Sequence, residues 1–410
     1  MKPELLSPAG DFEKLRAAIR FGADAVYLAG EAFGMRAASA NFTPEELAEA
    51  VAYAHARGVK VYVTVNVLPR TQEYPALRAF ARRLAEVGAD AAIVSDLGVL
   101  TLLREEAPAL AIHVSTQASV VSAAAAEAWR ALGASRIVLA RELSLAEIAG
   151  IRRATDPSLE LEAFVHGAMC IAYSGRCLLS NYFTGRDGNH GQCAQPCRWS
   201  YHALEIAEEK RAGEPLPVEE HGGETFVMSS RDLCMIEHIP QLLAAGVTSL
   251  KIEGRVKSAY YAAVVTNAYR MALDAYAAAG AAWRPDPAWL RELESVSHRE
   301  YATGFFFDSP REAANVVSAP GYIREKAYLA TALSGGAPGE RVRFVQRNKL
   351  SEGDPLELLT PGRVGIPCAL SDMRSADGEP ICTAPHPQME FSARLTVPVL
   401  PGDILRQGEG

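Results

Sequence analysis

The first 169 residues of this 410-residue chain contain no cysteine, so its seven cysteines are not a disulfide framework spread through the fold. Cations are not in excess. Against 41 Lys and Arg stand 49 Asp and Glu, a net charge of −8, which excludes a generically basic nucleic-acid binder. No stretch approaches about eighteen uninterrupted apolar residues, the length of a membrane-spanning helix. Also missing are a Gly-x-Ser-x-Gly elbow, a His-Glu-x-x-His helix and a glycine-rich turn after the first apolar run, the marks of serine hydrolases, zinc peptidases and dinucleotide-binding folds. The opening Met1-Lys-Pro-Glu-Leu-Leu-Ser-Pro-Ala-Gly10 puts a proline and an acid ahead of any apolar run, unlike a secretory leader. A soluble, cytoplasmic protein with no membrane partner is expected. With 49% hydrophobic and 22% charged residues, the chain has the composition of a folded protein.

What is present is a βα rhythm. Short β-branched runs at Glu4 to Ser7, Ala25 to Ala29, Lys60 to Val67, Ala91 to Ser95, Ala111 to Ser115, Arg136 to Ala140, Leu161 to Val165 and Ser249 to Ile252 alternate with Ala/Leu/Glu/Arg-rich helical segments. Several helices end in a glycine just before the next strand, at Gly22, Gly58, Gly88, Gly133 and Gly246, where a positive φ is expected. Eight such units predict an α/β fold, a (β/α)8 TIM-like barrel over residues 1–285, with a cysteine-rich insertion at 168–248 after strand 7. Residues 286–326 read as a linker with a helical piece. From 327 to 410, alternating runs such as Arg341-Val-Arg-Phe-Val345 and Phe391-Ser-Ala-Arg-Leu-Thr396, broken by Gly, Pro and Asp, predict a small all-β, barrel-like domain.

In a barrel of this kind chemistry gathers where strands end. Ser7, Tyr27, Asn66, Asp96, Gln117, Glu142, His166, Glu253 and Arg255 occupy those positions. Asp96 and Ser115 also suit helix N-caps and carry less weight. Glu253 and Arg255 are the leading catalytic candidates, because Lys251-Ile-Glu-Gly-Arg255 places them beyond the last strand, and Gly254 lets a ligand approach the backbone. Glu142 is a candidate acid or base, and His166 either supports a ligand from behind or is an ordinary strand-end histidine.

Five cysteines fall between Cys170 and Cys234: Cys170-Ile-Ala-Tyr-Ser-Gly-Arg-Cys177, then Cys193-Ala-Gln-Pro-Cys197, then Cys234. Clustered thiolates without a leader suit a metal or cluster. Zinc would favour paired Cys-x2-Cys knuckles, which are absent, whereas irregular spacings drawn from separate loops suit a cuboidal iron–sulfur cluster. Two ligand sets remain open, Cys170, Cys177, Cys193 and Cys234, or the same set with Cys197 in place of Cys234. Cys368 and Cys382, in the β domain, have no assigned role.

These residues carry a resemblance. Glu162-Ala-Phe-Val-His-Gly-Ala-Met-Cys170, Tyr173-Ser-Gly-Arg-Cys177, Gly191-Gln-Cys193, Pro196-Cys-Arg198, Ser229-Ser-Arg-Asp-Leu-Cys234, Lys251-Ile-Glu-Gly-Arg-Val-Lys257 and Arg347-Asn-Lys349 together resemble the peptidase U-32, or collagenase-like, family. Length and a single C-terminal β domain are most similar to its tRNA 5-hydroxyuridine branch. The resemblance implies oxygen-independent hydroxylation of a wobble uridine, prephenate as oxygen donor, and a [4Fe–4S] cluster, with Cys170, Cys177, Cys193 and Cys234 at the cluster positions and Cys197 as the alternative. Other implied outcomes are hydroxylation of ribosomal RNA or of a ubiquinone precursor, peptidase activity, and a homo- or hetero-oligomer with a family member.

On the hydroxylase reading, Asn66 and Gln117 bind substrate, and Arg36, Arg176, Arg231, Arg255 and Lys257 are the cations available to a carboxylated donor. The net charge does not exclude RNA, because a nucleic-acid footprint is local. Arg341, Arg343, Arg347 and Lys349 place four cations in nine residues of the β domain and are the expected RNA contacts.

Overall fold

The computed structural model describes residues 2–35, 41–170, 172–199, 220–221, 224–225, 230–307, 323 and 326–408. In chain order, β1 (Glu4–Pro8), α1 (Phe12–Arg20), β2 (Ala25–Leu28), α2 (Pro44–His55), β3 (Lys60–Val65), α3 (Tyr74–Glu86), β4 (Ala91–Val94) and α4 (Leu97–Glu106) form the first four units. Then come β5 (Ala111–Val114), α5 (Ala123–Ala131), β6 (Arg136–Val138), α6 (Leu145–Ala154), β7 (Glu160–Ala168), α7 (Leu179–Thr184), β8 (Asp232–Cys234), α8 (Ile239–Ala244) and β9 (Ser249–Ile252). Strands β1 to β7 pair in parallel in sequence order, and β9 closes the ring by pairing in parallel with both β1 and β7, at Glu4↔Ser249 and Ser249↔Glu162. The predicted eight-stranded barrel is therefore closed.

Local chemistry explains the punctuation. Thr43 and Ser144 each cap a helix through a reciprocal box with Glu46 and Glu147. All five glycines expected at helix ends have positive φ, between 71° and 102°. The strands are covered on both faces, so they read as nearly continuous apolar runs. One element was not expected: β8 pairs antiparallel with the end of β7, Cys234 opposite His166, and β10 (Tyr301–Ala302) pairs in parallel with β8. Three residues carry too little periodicity to announce a strand. Among the described residues no helix is long and apolar enough to cross a membrane.

The floor of the barrel is ionic. Arg136, 3% exposed, meets Glu4 at 2.5 Å, Glu160 at 2.7 Å and Glu162 at 3.1 Å, and Lys251 reaches Glu162 at 2.8 Å. Burial would raise the pKa of Glu4, but hydrogen bonds from Arg136, Tyr62 and Ser249 and the Arg136 charge outweigh it and hold Glu4 below the usual carboxylate range. His113, edge-on to Tyr62, is kept neutral by burial and by the positive charges of Arg136, Lys251 and Lys60. Polar groups so deeply placed at the N-terminal end of the strands serve the fold, leaving the other end for chemistry.

A second compact unit comprises residues 13–23, 257–297 and 323–410. It contains α9 (Ala259–Ala279), α10 (Pro287–Glu294) and a curled antiparallel sheet of β11 (Tyr328–Ala332), β12 (Arg341–Gln346), β13 (Leu356–Leu359), β14 (Ile366–Cys368), β15 (Leu370–Ser375), β16 (Glu390–Leu395) and β17 (Ile404–Gln407). Strand order is β14-β13-β17-β11-β12-β16-β15. Phe344 and Phe391 stack at 5.4 Å in its core. Arg406, 1% exposed, joins α10 to the sheet through Glu292 and Glu357, each at 2.7 Å. Arg20 does the same for residues 13–23 through Asp403 at 2.5 Å.

Candidate active site

The C-terminal ends of the barrel strands surround a cleft. Its wall includes Tyr27, Asn66, Gln117, Arg141, Lys251, Glu253 and Arg255, so five of the nine strand-end residues picked from the sequence are brought together. Asn66 is already committed. Its Oδ1 accepts from the Met35 amide at 3.3 Å and its Nδ2 donates to Ser115 Oγ at 3.2 Å, which makes it a brace for the mouth. Asp96 and Ser115 do act as N-caps, accepting from the amides of Val99 and Gln117. Arg255 is buried, and Glu253 receives Arg141 Nη2 at 3.1 Å.

Arg141 is the residue that sequence reading passed over. It lies just beyond β6, which ends at Val138, next to the chosen Glu142, and its position alone would have qualified it. Its Nη1 donates to the Ala168 carbonyl at 2.7 Å and its guanidinium lies 3.8 Å above the Phe164 ring. Lys251 was passed over as well, because within β9 it reads as a strand residue. Its ammonium sits 4.5 Å from the Tyr27 ring centre. Among the described residues the cleft lining thus has three cations and one carboxylate, that of Glu253.

A second cavity adjoins the first, and Met35, Thr116, Gln117 and Arg141 line both. Cys170, Cys177, Cys193 and Cys197 line this cavity, together with Glu142 and Arg176. Cys234 is buried on β8 and is not part of this lining. Among the described residues no three His, Cys, Asp or Glu side chains form a ready-made metal site; the thiols share a wall and not a common point. The insertion is laid close over the mouth. A Cβ on Gly175, at φ +72°, would stand 2.1 Å from the Gln117 carbonyl oxygen, and one on Gly191 would stand 2.8 Å from that of Gly34. His190 Nε2 to Glu73 at 3.1 Å, and Arg70 to Asp187 at 3.6 Å, fasten the insertion to the loop after β3. Glu142 Oε1 accepts from the Ser174 amide at 2.7 Å and hydroxyl at 3.1 Å, while its Oε2 is buried without a hydrogen-bond partner.

The remaining candidates lie elsewhere. His166 is 1% exposed, its Nε2 3.5 Å from the Tyr301 hydroxyl. Arg231 pairs with Glu300 at 3.2 Å, and Lys257 donates to the Ser297 carbonyl at 2.9 Å. Neither is among the lining residues of the two cavities. Arg36 lies outside the described residues. In the β domain, Arg341 is bound to Asp372 and Arg347 to Glu13 at 2.7 Å. Arg343 and Lys349 are exposed.

Sequence comparisons agree with this anatomy. Residues 10–315 match the profile of peptidase family U32, and residues 324–406 that of the family's C-terminal domain. The chain is 37% identical to tRNA hydroxylation protein P1 of Bacillus subtilis, covering 100% of this chain and 95% of that one. It is 38% identical to tRNA hydroxylation protein P of Escherichia coli, covering 94% and 92%. The 23S rRNA 5-hydroxycytidine C2501 synthase of Escherichia coli is 36% identical over 78% of this chain and 47% of its own length. Matched by both profiles and aligned along its length with these relatives, the chain belongs to peptidase family U32.

Proposed function

We propose that this protein is an RNA-modifying enzyme that places an oxygen atom on C5 of the wobble uridine of tRNA, using a [4Fe–4S] cluster and prephenate as the donor. The observation that carries the reading is the shared wall: a polar, cation-rich cleft and a cavity lined by four thiols meet at Met35, Thr116, Gln117 and Arg141. Relatives named for tRNA hydroxylation and for 5-hydroxycytidine in ribosomal RNA support it, since C5 of a pyrimidine is a position common to uracil and cytosine.

The donor set fits an iron–sulfur cluster. Four cysteines from two stretches of the insertion line one cavity, and thiolate sulfur is the ligand such a cluster takes. Cys170, Cys177 and Cys193 belong to both ligand sets; the family resemblance offers Cys234 for the fourth position and the cavity offers Cys197. When bound, the cluster would supply electron transfer to the donor. Arg255 suits a carboxylate of the donor and can orient it bidentately, beside Arg141 and Lys251, which Glu253 and Glu162 already engage. Gln117, at the seam, is placed to read the polar edge of a uracil. A base in a tRNA loop is cheaply unstacked, so a deep pocket is accessible to it. Glu142, anchored through one oxygen by Ser174, has its other oxygen to hold or move the proton that leaves C5. Hydroxylation adds one oxygen to the base and removes two electrons from it, and the donor gives up that oxygen and accepts the pair.

Deleting the gene and digesting bulk tRNA for nucleoside mass spectrometry tests the reading. Loss of 5-hydroxyuridine, restored by the wild-type gene, is the expected result. Unchanged hydroxyuridine in a strain without a second family member overturns it. Gelatin cleavage that survives stringent purification and vanishes with Cys170→Ala would instead favour the hydrolase alternative.

A further inference from the structure

Beside the cysteine-lined cavity lies a surface that the chemistry above does not use. The segment from Leu178, just ahead of α7, onward exposes Leu178 (75%), Tyr182 (83%), Phe183 (47%) and Trp199 (39%). Scattered exposed apolar residues need no explanation, but three aromatic rings from one short segment do. Tyr182 and Phe183 stand 5.3 Å apart at 76°, and Phe183 and Trp199 6.3 Å apart at 54°.

The rings are held in place. The Trp199 indole donates to the Ala194 carbonyl at 3.2 Å, and the Ala194 amide donates to Ser180 Oγ at 2.9 Å, which ties α7 to the stretch bearing Cys193. The surface and the cavity wall are therefore one piece of backbone. Its charge is opposite to that of the whole chain. Between Cys170 and Trp199 the sequence has three arginines and one aspartate, although the chain carries a net −8. Arg176 and Arg186 are exposed, and Asp187 is drawn toward Arg70.

We infer that this face is a stacking platform for unpaired nucleobases, its occupant a single-stranded RNA loop whose target base enters the adjoining cleft. Aromatic faces accept any base by stacking, and neighbouring arginines accept the phosphates, which is the pairing that single-stranded nucleic acid requires. A membrane surface or an acidic peptide would use the cations but has no flat π-systems to match the rings. The inference rests on the RNA reading and adds where the loop is gripped.

Full-length protein purified without oxygen provides the test. Its affinity for an RNA hairpin with an unpaired loop is compared with that for fully paired RNA of equal length, at one fixed salt concentration, by fluorescence anisotropy. Tyr182→Ala and Phe183→Ala are expected to weaken hairpin binding roughly tenfold or more for each stacked base lost, while duplex binding and the thermal midpoint stay unchanged. Tyr182→Trp, which keeps a flat ring, should bind as wild type does. Hairpin affinity unaffected by the alanine variants overturns the platform, as does a parallel fall in duplex affinity. So does a changed oligomeric state at unaltered RNA affinity, which would assign the face to a protein contact. Failure of the wild type to bind the hairpin at all overturns the underlying RNA reading.

Discussion

Arg141 Nη2 donates to Glu253 Oε2 at 3.1 Å, so a residue in the loop beyond β6 grips the residue that follows β9 at the barrel mouth. The same guanidinium caps Phe164 and holds the Ala168 carbonyl at the root of the insertion. One side chain thereby sets the positions of the Glu253 carboxylate, the cleft's aromatic wall and the chain leading to Cys170.

Replacing Arg141 should accordingly cost more than a charge. Arg141→Lys keeps the cation but cannot make both planar contacts while lying on the Phe164 ring. We expect hydroxylation efficiency (kcat/KM for the donor) to fall by about 10²-fold or more, the scale of losing one preorganised donor, with iron content retained. Single-turnover assay beside iron determination checks this, and a lysine variant at wild-type efficiency would remove Arg141 from the site.

The cysteines divide by experiment in the same way. Cys170→Ala, Cys177→Ala and Cys193→Ala should each lose most of the bound iron and the broad absorption near ~400 nm expected of the cluster. Of Cys197→Ala and Cys234→Ala, only one should do so, and that one names the fourth ligand. Cys368 and Cys382 are the controls. Burial, and then the charge of Glu357, push the Cys368 thiol up to about 11, so it should resist maleimide at pH 8 while exposed Cys382 reacts. Iron retained in all five variants would dismiss the cluster.

Much of this was legible in the chain, and the reasons differ by feature. The barrel strands and their helix-end glycines follow from local pattern: β-branched runs at regular spacing, and Gly22, Gly58, Gly88, Gly133 and Gly246 wherever a positive φ closes a helix. The gathering of Asn66, Gln117, Glu253 and Arg255 follows from the rule that strand ends converge. Arg141 and Lys251 escaped because their roles depend on partners far along the chain, Glu253 and Glu162. The same holds for β8, whose pairing with His166 no local periodicity signals, and for Arg347, which as a sequence cation looked available and is in fact bound to Glu13.

Gly175 tests how the insertion is seated. Alanine there meets two obstacles, a left-handed φ of +72° and a backbone oxygen 2.1 Å from its Cβ, neither of which a side-chain rotation relieves. Gly175→Ala should therefore lift the segment from Tyr173 to Cys177 off Gln117. The expected outcome is loss of iron and activity with little change in the thermal midpoint, since the barrel strands are untouched. A fully loaded, active variant would show that this contact does not shape the cavity.

In the second unit, stability should fail toward acid and on loss of Arg406. Burial would raise the Glu357 pKa, yet hydrogen bonds from Lys326 and Arg406 and their charges lower it below the ordinary value. A folded pKa depressed relative to the unfolded chain contributes stability that is complete above the unfolded value, about 4.3, and is lost as pH falls through the folded one. Glu4 adds the same dependence in the barrel floor. Arg406→Met removes the cation shared by Glu292 and Glu357, which are 8% and 9% exposed, and leaves Glu292 without that cation and Glu357 with Lys326 alone. The expected cost is about 3–5 kcal/mol, read as a lowered thermal midpoint of the second unit at pH 7. Because the stranded carboxylates then gain by protonation, the loss relative to wild type should shrink as pH falls toward 4. A cost that stays constant on acidification would mean that Arg406 stabilises the unit by packing alone and not by neutralising its two acids.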